Sequence, residues 1–333
     1  VLNPAKIRIV VLQGGISAER EVSLRSGENC SKGLVEAGFQ VSTYDAADLN
    51  FIDELRKSSP DLVFNALHGK YGEDGTMQGL LEVLGIPYTG SGVLASALAM
   101  DKHASKGIYE QAALPTPRGV LLSADDLSNL QEGDMDALYQ QITEQLKTRH
   151  LAVKPNSEGS SVGVSLIDSA ADFPQALRLA MSNGETCVNS GHSIQSVLIE
   201  ECIKGKEITV GVLGGTSCDV KALPVIEIKP KDGFYHFENK YAVGGSDFVV
   251  PAGIDAEMTH TCQELAVRAH KVLGCHGYSR SDIRLASDGR PYLLETNTLP
   301  GLTENSLIPR AAACAGIEFA DLLLRIVDYA LSK

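Results

Sequence analysis

The alternation of apolar and polar positions changes character several times along the chain. KIRIVVLQGG is a short β-branched run closing on Gly14-Gly15, and SAEREVSLRSGENCSKGLVEAG then takes helical spacing. Ser17 is placed to cap that helix and Gly38 to stop it. FQVSTYDA and DLVFNALHG read as further strands, the second running into a loop with glycines at 69, 72 and 75. Strands alternating with helices predict a parallel α/β layer whose strand ends carry the site.

After GIPYTGSG, the run VLASALAMDKHASKGIYEQA predicts one helix ending at the LPTPRG turn, with a first boundary near residue 90. HLAVKPNSEGSSVGVSLI reads as a strand, a Ser- and Gly-rich loop and another strand. A second boundary near 190–200 precedes SVLIEECIKGKEITVGVLGG, which predicts two antiparallel strands around Lys204-Gly205-Lys206. DAEMTHTCQELAVRAHKVLG and FADLLLRIVDYAL are helical, and no internal repeat is present. The expected segments are therefore 1–90, 91–195 and 196–333.

Composition narrows the function classes. The 333 residues are 44% hydrophobic and carry a net charge of −13, which argues against a nucleic-acid or anionic-membrane surface. Cysteines at 30, 187, 202, 218, 262, 275 and 314 show no Cys-x-x-Cys and read as reduced thiols. No apolar run reaches the ~18 residues of a membrane span, and no secretory h-region is seen. A cytoplasmic protein is expected.

The richest stretch is YSRSDIRLASDGRPYLLETN. Asp288-Gly289 between two strand-like runs is a strong hairpin signal. With a two-residue loop, Ser287 faces Arg290, Asp282 faces Glu295 and Arg280 faces Asn297, so these last four share one face. Opposed carboxylates repel, and a hard divalent cation such as Mg²⁺ compensates them well. Hydration on an exposed face is the alternative.

Other parts read less sharply alone. KPNSEGSSVGV (154–164) is not a Walker A loop, but its small residues let backbone N–H groups approach phosphate, with Lys154 to balance charge. It also suits a plain linker. GGISAEREVSL lacks Gly-x-Gly-x-x-Gly; Glu19 suits an ammonium-bearing ligand and equally favours the helix dipole. His68 before its Gly-rich turn suits a structural role as well as a functional one. DGFYHFENKYAVGG fits a lid or an ordinary surface loop.

Taken together, GGISAEREVSLRSG, HGKYGEDGTMQGLLEVLGIPYTGSGVLASALAMDK, KPNSEGSSVGV, ENKY and LLETNTLPGLTENSL closely resemble the bacterial D-alanine–D-alanine ligases of the ATP-grasp superfamily, in the same order and over essentially the whole chain. The resemblance implies a three-domain α/β (α+β) ATP-grasp fold. Its parts would be an N-terminal substrate-binding domain, a central domain with the phosphate loop, and a C-terminal domain with metal site and lid. It implies an ATP-dependent ligase joining two D-alanines through a D-alanyl phosphate, for peptidoglycan precursor synthesis, and a homodimer.

The same resemblance implies the site. Asp282, Glu295 and Asn297 would hold two Mg²⁺ (or Mn²⁺), with Glu295 bridging. Lys102, Lys154 and Lys240 would hold the phosphates of ATP, under a loop of Glu158, Gly159, Ser160, Ser161 and Val162. Glu200, Glu201, Cys202 and Ile203 would line the adenine cleft, Glu207 would take the ribose, and Phe234 would help cover the nucleotide. Glu201 stands where some relatives have lysine, so only its backbone is expected to matter. Arg280 and the Gly301 N–H would form the oxyanion hole, and Ser306 and Leu307 at a helix start would take the second D-alanine's carboxylate. Glu19 would take the first D-alanine's ammonium within a triad with Ser160 and Tyr241, and Val22 and His68 complete the substrate pocket. D-alanine–D-lactate and D-alanine–D-serine ligases share the metal and ATP parts and differ in the lid and second-substrate pocket; Tyr241 favours the dipeptide enzyme over the depsipeptide one. A non-catalytic ATP-binding protein on the same fold predicts decay of the metal or oxyanion positions, and none departs from the pattern.

Overall fold

Three sheets follow one another along the chain. The structure, a computed structural model, describes residues 3–159, 162–182, 196–215, 220–230 and 246–333. The β-branched run near the start forms Arg8–Gln13 (β1), flanked in parallel by Gln40–Asp45 (β2) and Leu62–Asn65 (β3), in the order β2-β1-β3. The helix Arg20–Glu36 (α1) and the C-terminal helix Phe319–Leu331 share one core with this sheet, built from Ile9, Val11, Leu34, Phe64, Leu323 and Ile326. A Cβ on Gly33 of α1 would lie 2.6 Å from Leu323, so glycine sets how closely the two helices pack. Gly38, at φ +94°, follows α1 as expected.

Ser17 does not cap α1. Glu19 is the N-cap residue, and the Ser17 hydroxyl instead donates to the His68 carbonyl at 2.7 Å and accepts from the Glu19 N–H. Tertiary pairing has drawn the hydroxyl across to the loop after β3. Gly14 and Gly15 turn with φ +73° and +77°. Asp45 at the end of β2 holds that turn, accepting from Gly15 N and from the Arg20 guanidinium at 2.6–2.9 Å. Arg20 thereby lowers the Asp45 carboxyl to about 2.

After the short helices Phe51–Ser58 (α2) and Thr76–Leu84 (α3), the single helix expected after residue 90 is two helices, Val93–Met100 (α4) and Lys102–Gln111 (α5). Asp101 breaks the run: its φ/ψ is extended and its carboxylate accepts from Ala104 N at 2.8 Å, a side-chain cap that competes with helix continuation. The break matters because Lys102 becomes the first residue of α5, with its N–H on the Asn156 carbonyl at 3.0 Å.

The second sheet comprises Gly119–Leu122 (β4), Leu151–Pro155 (β5), Ser165–Ile167 (β6) and Val197–Glu201 (β7), antiparallel in the order β4-β7-β5-β6. One face, with Val153, Val197 and Ile199, packs under the helices Met135–Leu146 and Phe173–Ser182. By alternation Ala152, Lys154 and Glu200 occupy the other face. The strands 197–201 and 205–214, expected to pair around Lys204-Gly205-Lys206, belong to different sheets. Local sequence offered a hairpin, but β7 finds its partners in β4 and β5.

The third sheet holds Gly205–Gly214 (β8), Lys221–Ala222 (β9), Ile226–Pro230 (β10), Ser246–Val249 (β11), Gly277–Ala286 (β12) and Pro291–Asn297 (β13). Its order is β11-β10-β8-β12-β13, with β9 on β8. Ala99 of α4 and Tyr109 of α5 pack into its core beside Ile208, Ile283 and the helix Ala256–Val272. The helices after residue 90 therefore serve the third sheet, and the strands from 119 to 201 form the second.

The β12–β13 hairpin pairs Arg280 with Asn297 and Asp282 with Glu295, as the counting required. The turn is nevertheless not two residues long. Ala286 N donates to Arg290 O and Gly289, at φ +82°, donates back to Ala286 O, which leaves Ser287, Asp288 and Gly289 in the loop. A bulge then restores the register: Ile283 pairs with Leu293 and Asp282 with Glu295, so Leu294 is the extra residue. The two departures cancel, and the four side chains reach the expected face.

Candidate active site

One side of the candidate site lies between the second and third sheets. A cavity of about 110 Å³ is lined there by Lys102, Lys154, Glu200, Cys202, Ile203 and Glu207, and also by Glu201, Glu158, Val162, Asp282 and Glu295. These residues come from α5, β5, β7, β8, β12 and β13 and from the loops after β5 and β7, and the structure brings all of them to one cleft. Glu207 pairs with Arg284 on the neighbouring strand at 3.0 Å. Glu201 turns its carboxylate to Arg118, accepting from the backbone N–H and from the guanidinium at 2.7 Å. Its side chain is thus committed to an ion pair, in keeping with a purely backbone role at 201.

Charge is concentrated around Glu200. Its carboxylate is 1% exposed and receives Lys106 on one oxygen and Lys154 on the other, each at 2.5 Å. Burial pushes the carboxyl up, but Lys106 and then Lys154 outweigh it, and the net shift is downward. Lys102 reaches the Glu158 carbonyl at 2.5 Å and Glu295 at 3.4 Å, which ties the start of the phosphate loop to β13. Lys106 was not expected in the site. Its signal was present in DKHASK, where two lysines four apart on one helix face repel unless carboxylates lie opposite.

The opposed carboxylates are compensated within the protein. Arg280 grips Asp282 through Nε and Nη2 at 2.9 and 2.8 Å, and Thr209 and Asn297 also donate to it. Lys102 stands beside Glu295. The strand is less buried than its composition suggested: only Leu293 and Thr296 of β13 are fully enclosed. Two carboxylates and an amide meeting at one end of this strand pair form an all-oxygen acceptor set, which suits a hard divalent cation.

On the far side of Asp282 a larger cavity of about 660 Å³ opens, lined by Glu19, Val22, His68, Arg280, Gly301, Ser306 and Leu307. Asp282 borders both cavities. A Cβ on Gly301 would sit 2.9 Å from the Ser306 hydroxyl and 4.0 Å from the His68 ring, so only glycine lets this backbone come so close. Ser306 is the N-cap residue of the helix Leu307–Cys314, and its hydroxyl bonds the Thr303 N–H at 3.0 Å rather than its own helix. His68 is buried, 3.0 Å from Ser26 Oγ and 3.5 Å from Glu73. Burial pulls its pKa down, yet Glu73 and then Glu19 together more than offset this and the net shift is upward.

Glu19 reaches the phosphate loop. A Cβ on Gly159 would lie 3.1 Å from its carboxylate, and one on Gly69 would lie 3.0 Å away. Ser160, Ser161, Phe234, Lys240 and Tyr241 lie outside the described residues, so Glu19 is the one member of the expected triad that is described.

Comparison with known proteins shows the family. Residues 44–91 match the family model for the D-ala D-ala ligase N-terminus, and residues 108–328 match that for the D-ala D-ala ligase C-terminus. The chain is 43% identical over 320 residues to a D-alanine–D-alanine ligase of Cupriavidus pinatubonensis, covering 96% of this chain and 90% of that protein. It is 41% identical to one of Pelotomaculum thermopropionicum, covering 98% of both. Among solved structures, a D-alanine–D-alanine ligase from Bacillus anthracis complexed with ATP superposes with a TM-score of 0.77 at 32% identity, over 98% of each chain. With both family models matched in sequence order and the three-sheet fold shared, this chain belongs to the D-alanine–D-alanine ligase family, ATP-dependent enzymes whose known role is to make D-alanyl-D-alanine for the peptidoglycan precursor.

Proposed function

We propose that the two cavities divide this reaction between them and that Asp282 marks where they exchange a phosphoryl group. The carrying observation is that Asp282 borders both, with lysines on one side and Arg280 and Gly301 on the other. ATP lies in the cleft between the second and third sheets. Glu200 accepts from the adenine amino group, residues 201–203 line the base, and Glu207 takes the ribose. Lys102, Lys154 and Lys240 neutralise the phosphates, with residues 158–162 closing over them and Phe234 covering the nucleotide.

The first D-alanine sits in the larger cavity with its ammonium toward Glu19, which Ser160 and Tyr241 hold in place. Its carboxylate oxygen forms a bond to the γ-phosphorus as the bond to the β-bridging oxygen breaks, giving ADP and D-alanyl phosphate. The second D-alanine places its carboxylate at the start of the helix Leu307–Cys314, near Ser306. Its amine attacks the acyl carbon. Arg280 and the Gly301 N–H take the negative charge of the tetrahedral intermediate, which expels inorganic phosphate as the amide forms. Val22 and His68 shape the pocket. Asp282, Glu295 and Asn297 would hold two Mg²⁺ or Mn²⁺, which when bound would offset the charge of the phosphate oxygens.

In this scheme residues 1–90 supply Glu19 and His68, 91–195 supply Lys102, Lys154 and the phosphate loop, and 196–333 supply Lys240 and the metal and oxyanion groups. Glu200 is numbered with the third segment but sits in the sheet of the second. A homodimer and a cytoplasmic location belong to the same proposal. Val83 and Leu94, 86% and 72% exposed, offer apolar surface for an interface. No helix among the described residues is long and apolar enough to cross a membrane.

Substrate choice tests the reading. Phosphate release from ATP and Mg²⁺ is expected with D-alanine, to stay at background with L-alanine, and to gain no D-lactate product when that acceptor is added. Release that ignores D-alanine, or equal turnover of L-alanine, would overturn it.

A further inference from the structure

We propose that Lys106 is a positioning residue for nucleotide selection: it is the resident counter-ion that holds Glu200 charged and aimed at the adenine amino group when Lys154 turns to the phosphates. The proposal rests on the placement of adenine at Glu200 given above.

Glu200 has two lysine partners of different kinds. Lys154 ends β5, immediately before the phosphate loop, and it lines the nucleotide cavity. Lys106 does not line that cavity and is fixed from several directions. Its ammonium donates to Thr116 Oγ1 at 2.8 Å, and the Thr116 hydroxyl donates onward to the Leu293 carbonyl of β13 at the same distance. Lys106 is 4% exposed, and its ammonium lies 2.5 Å from Glu200 Oε1. Lys102, one helical turn earlier, points to the phosphate loop and Glu295 instead.

The consequence follows from charge. A buried carboxylate left without a cation takes up a proton or leaves its position. When ATP arrives, Lys154 is drawn from Glu200 toward phosphate. Lys106 remains, so Glu200 keeps its charge, and the lone pairs released on Oε2 become available to the 6-amino N–H. Burial lowers Lys106 to about 8, which leaves it cationic at neutral pH for this purpose. Without Lys106, Lys154 must serve both Glu200 and phosphate. A protonated Glu200 is a weaker acceptor for a 6-amino group and a possible donor to a 6-oxo group.

The test compares ATP with inosine triphosphate, which carries a 6-oxo group, using D-alanine-dependent phosphate release and circular dichroism to confirm folding. Lys106→Met is expected to lower the ratio of kcat/KM for ATP over inosine triphosphate by about tenfold, the weight of one hydrogen bond to a charged group, with the KM for D-alanine within about twofold of wild type. Thr116→Val, which removes the hydroxyl that pins the ammonium, is expected to lower the ratio by a smaller factor. An equal loss with both nucleotides would make Lys106 merely structural and overturn the proposal. If Lys106→Met does not fold, Lys106→Gln and Thr116→Val supply the same comparison, and an unchanged ratio in both overturns it. Glu200→Gln separates the layers: if its ratio stays at the wild-type value, the placement of adenine at Glu200 fails. If that ratio falls while the Lys106 variants keep theirs, only the role of Lys106 fails.

Discussion

Replacing Arg280 with methionine is expected to lower kcat by about 10²–10³, the usual cost of removing one oxyanion donor. Arg280 lines the amino-acid cavity beside Gly301, where the tetrahedral intermediate would form. Its guanidinium is held by Asp282 through two hydrogen bonds at 2.8–2.9 Å, so the donor is oriented before substrate arrives. The KM for ATP should stay within a few-fold, because the nucleotide cavity does not include Arg280. Stability should fall by about 1–3 kcal/mol, since Asp282 loses a charged partner but keeps Thr209 and Asn297. Steady-state rates and a thermal melt check both statements. A kcat within threefold of wild type would remove Arg280 from the chemistry.

Glu295→Gln is expected to cost about 10³ in kcat/KM with little loss of stability. The substitution keeps the shape of the side chain and relieves its opposition to Asp282 across the strands. It also takes one negative charge from an acceptor set whose metal would contribute several kcal/mol of transition-state stabilisation. Lys102 loses its carboxylate at 3.4 Å but keeps the Glu158 carbonyl, so the loop anchor survives. The checks are rate measurements across a Mg²⁺ titration, together with a melt. A variant that unfolds, with activity kept in whatever fraction remains folded, would show Glu295 to be structural.

Much of this site was legible because its parts are local. Periodicity located β1 to β3, the loop between β5 and β6, and the strands of the last hairpin, since each depends on a few neighbouring residues. The Asp282–Glu295 pairing came out correctly although its premise did not. The loop holds one residue more than assumed, and the bulge at Leu294 takes up the difference. Turn length can be guessed from Asp-Gly, but a bulge answers to packing across the sheet and leaves no local mark.

What could not be read is long-range. Asp101 looks like any polar helix residue until its carboxylate caps α5. The strand 197–201 looks like half of a hairpin until β4 and β5 claim it. Read locally, the paired acids call for a metal, whereas Arg280, two residues before Asp282 on β12, and Lys102 of α5 already supply cations. Lys106 went unnoticed for the same reason, because its carboxylate lies 94 positions away by number and meets it only through the fold.

In this scheme the two cavities pass a phosphoryl group from ATP to the D-alanine carboxylate beside Asp282. D-alanine labelled with oxygen-18 in its carboxylate tests this most directly, by mass spectrometry of the inorganic phosphate released during turnover. Transfer through D-alanyl phosphate places one labelled oxygen in each phosphate, because the carboxylate oxygen that attacked phosphorus leaves with it. Phosphate free of label, formed alongside D-alanyl-D-alanine, would contradict the account.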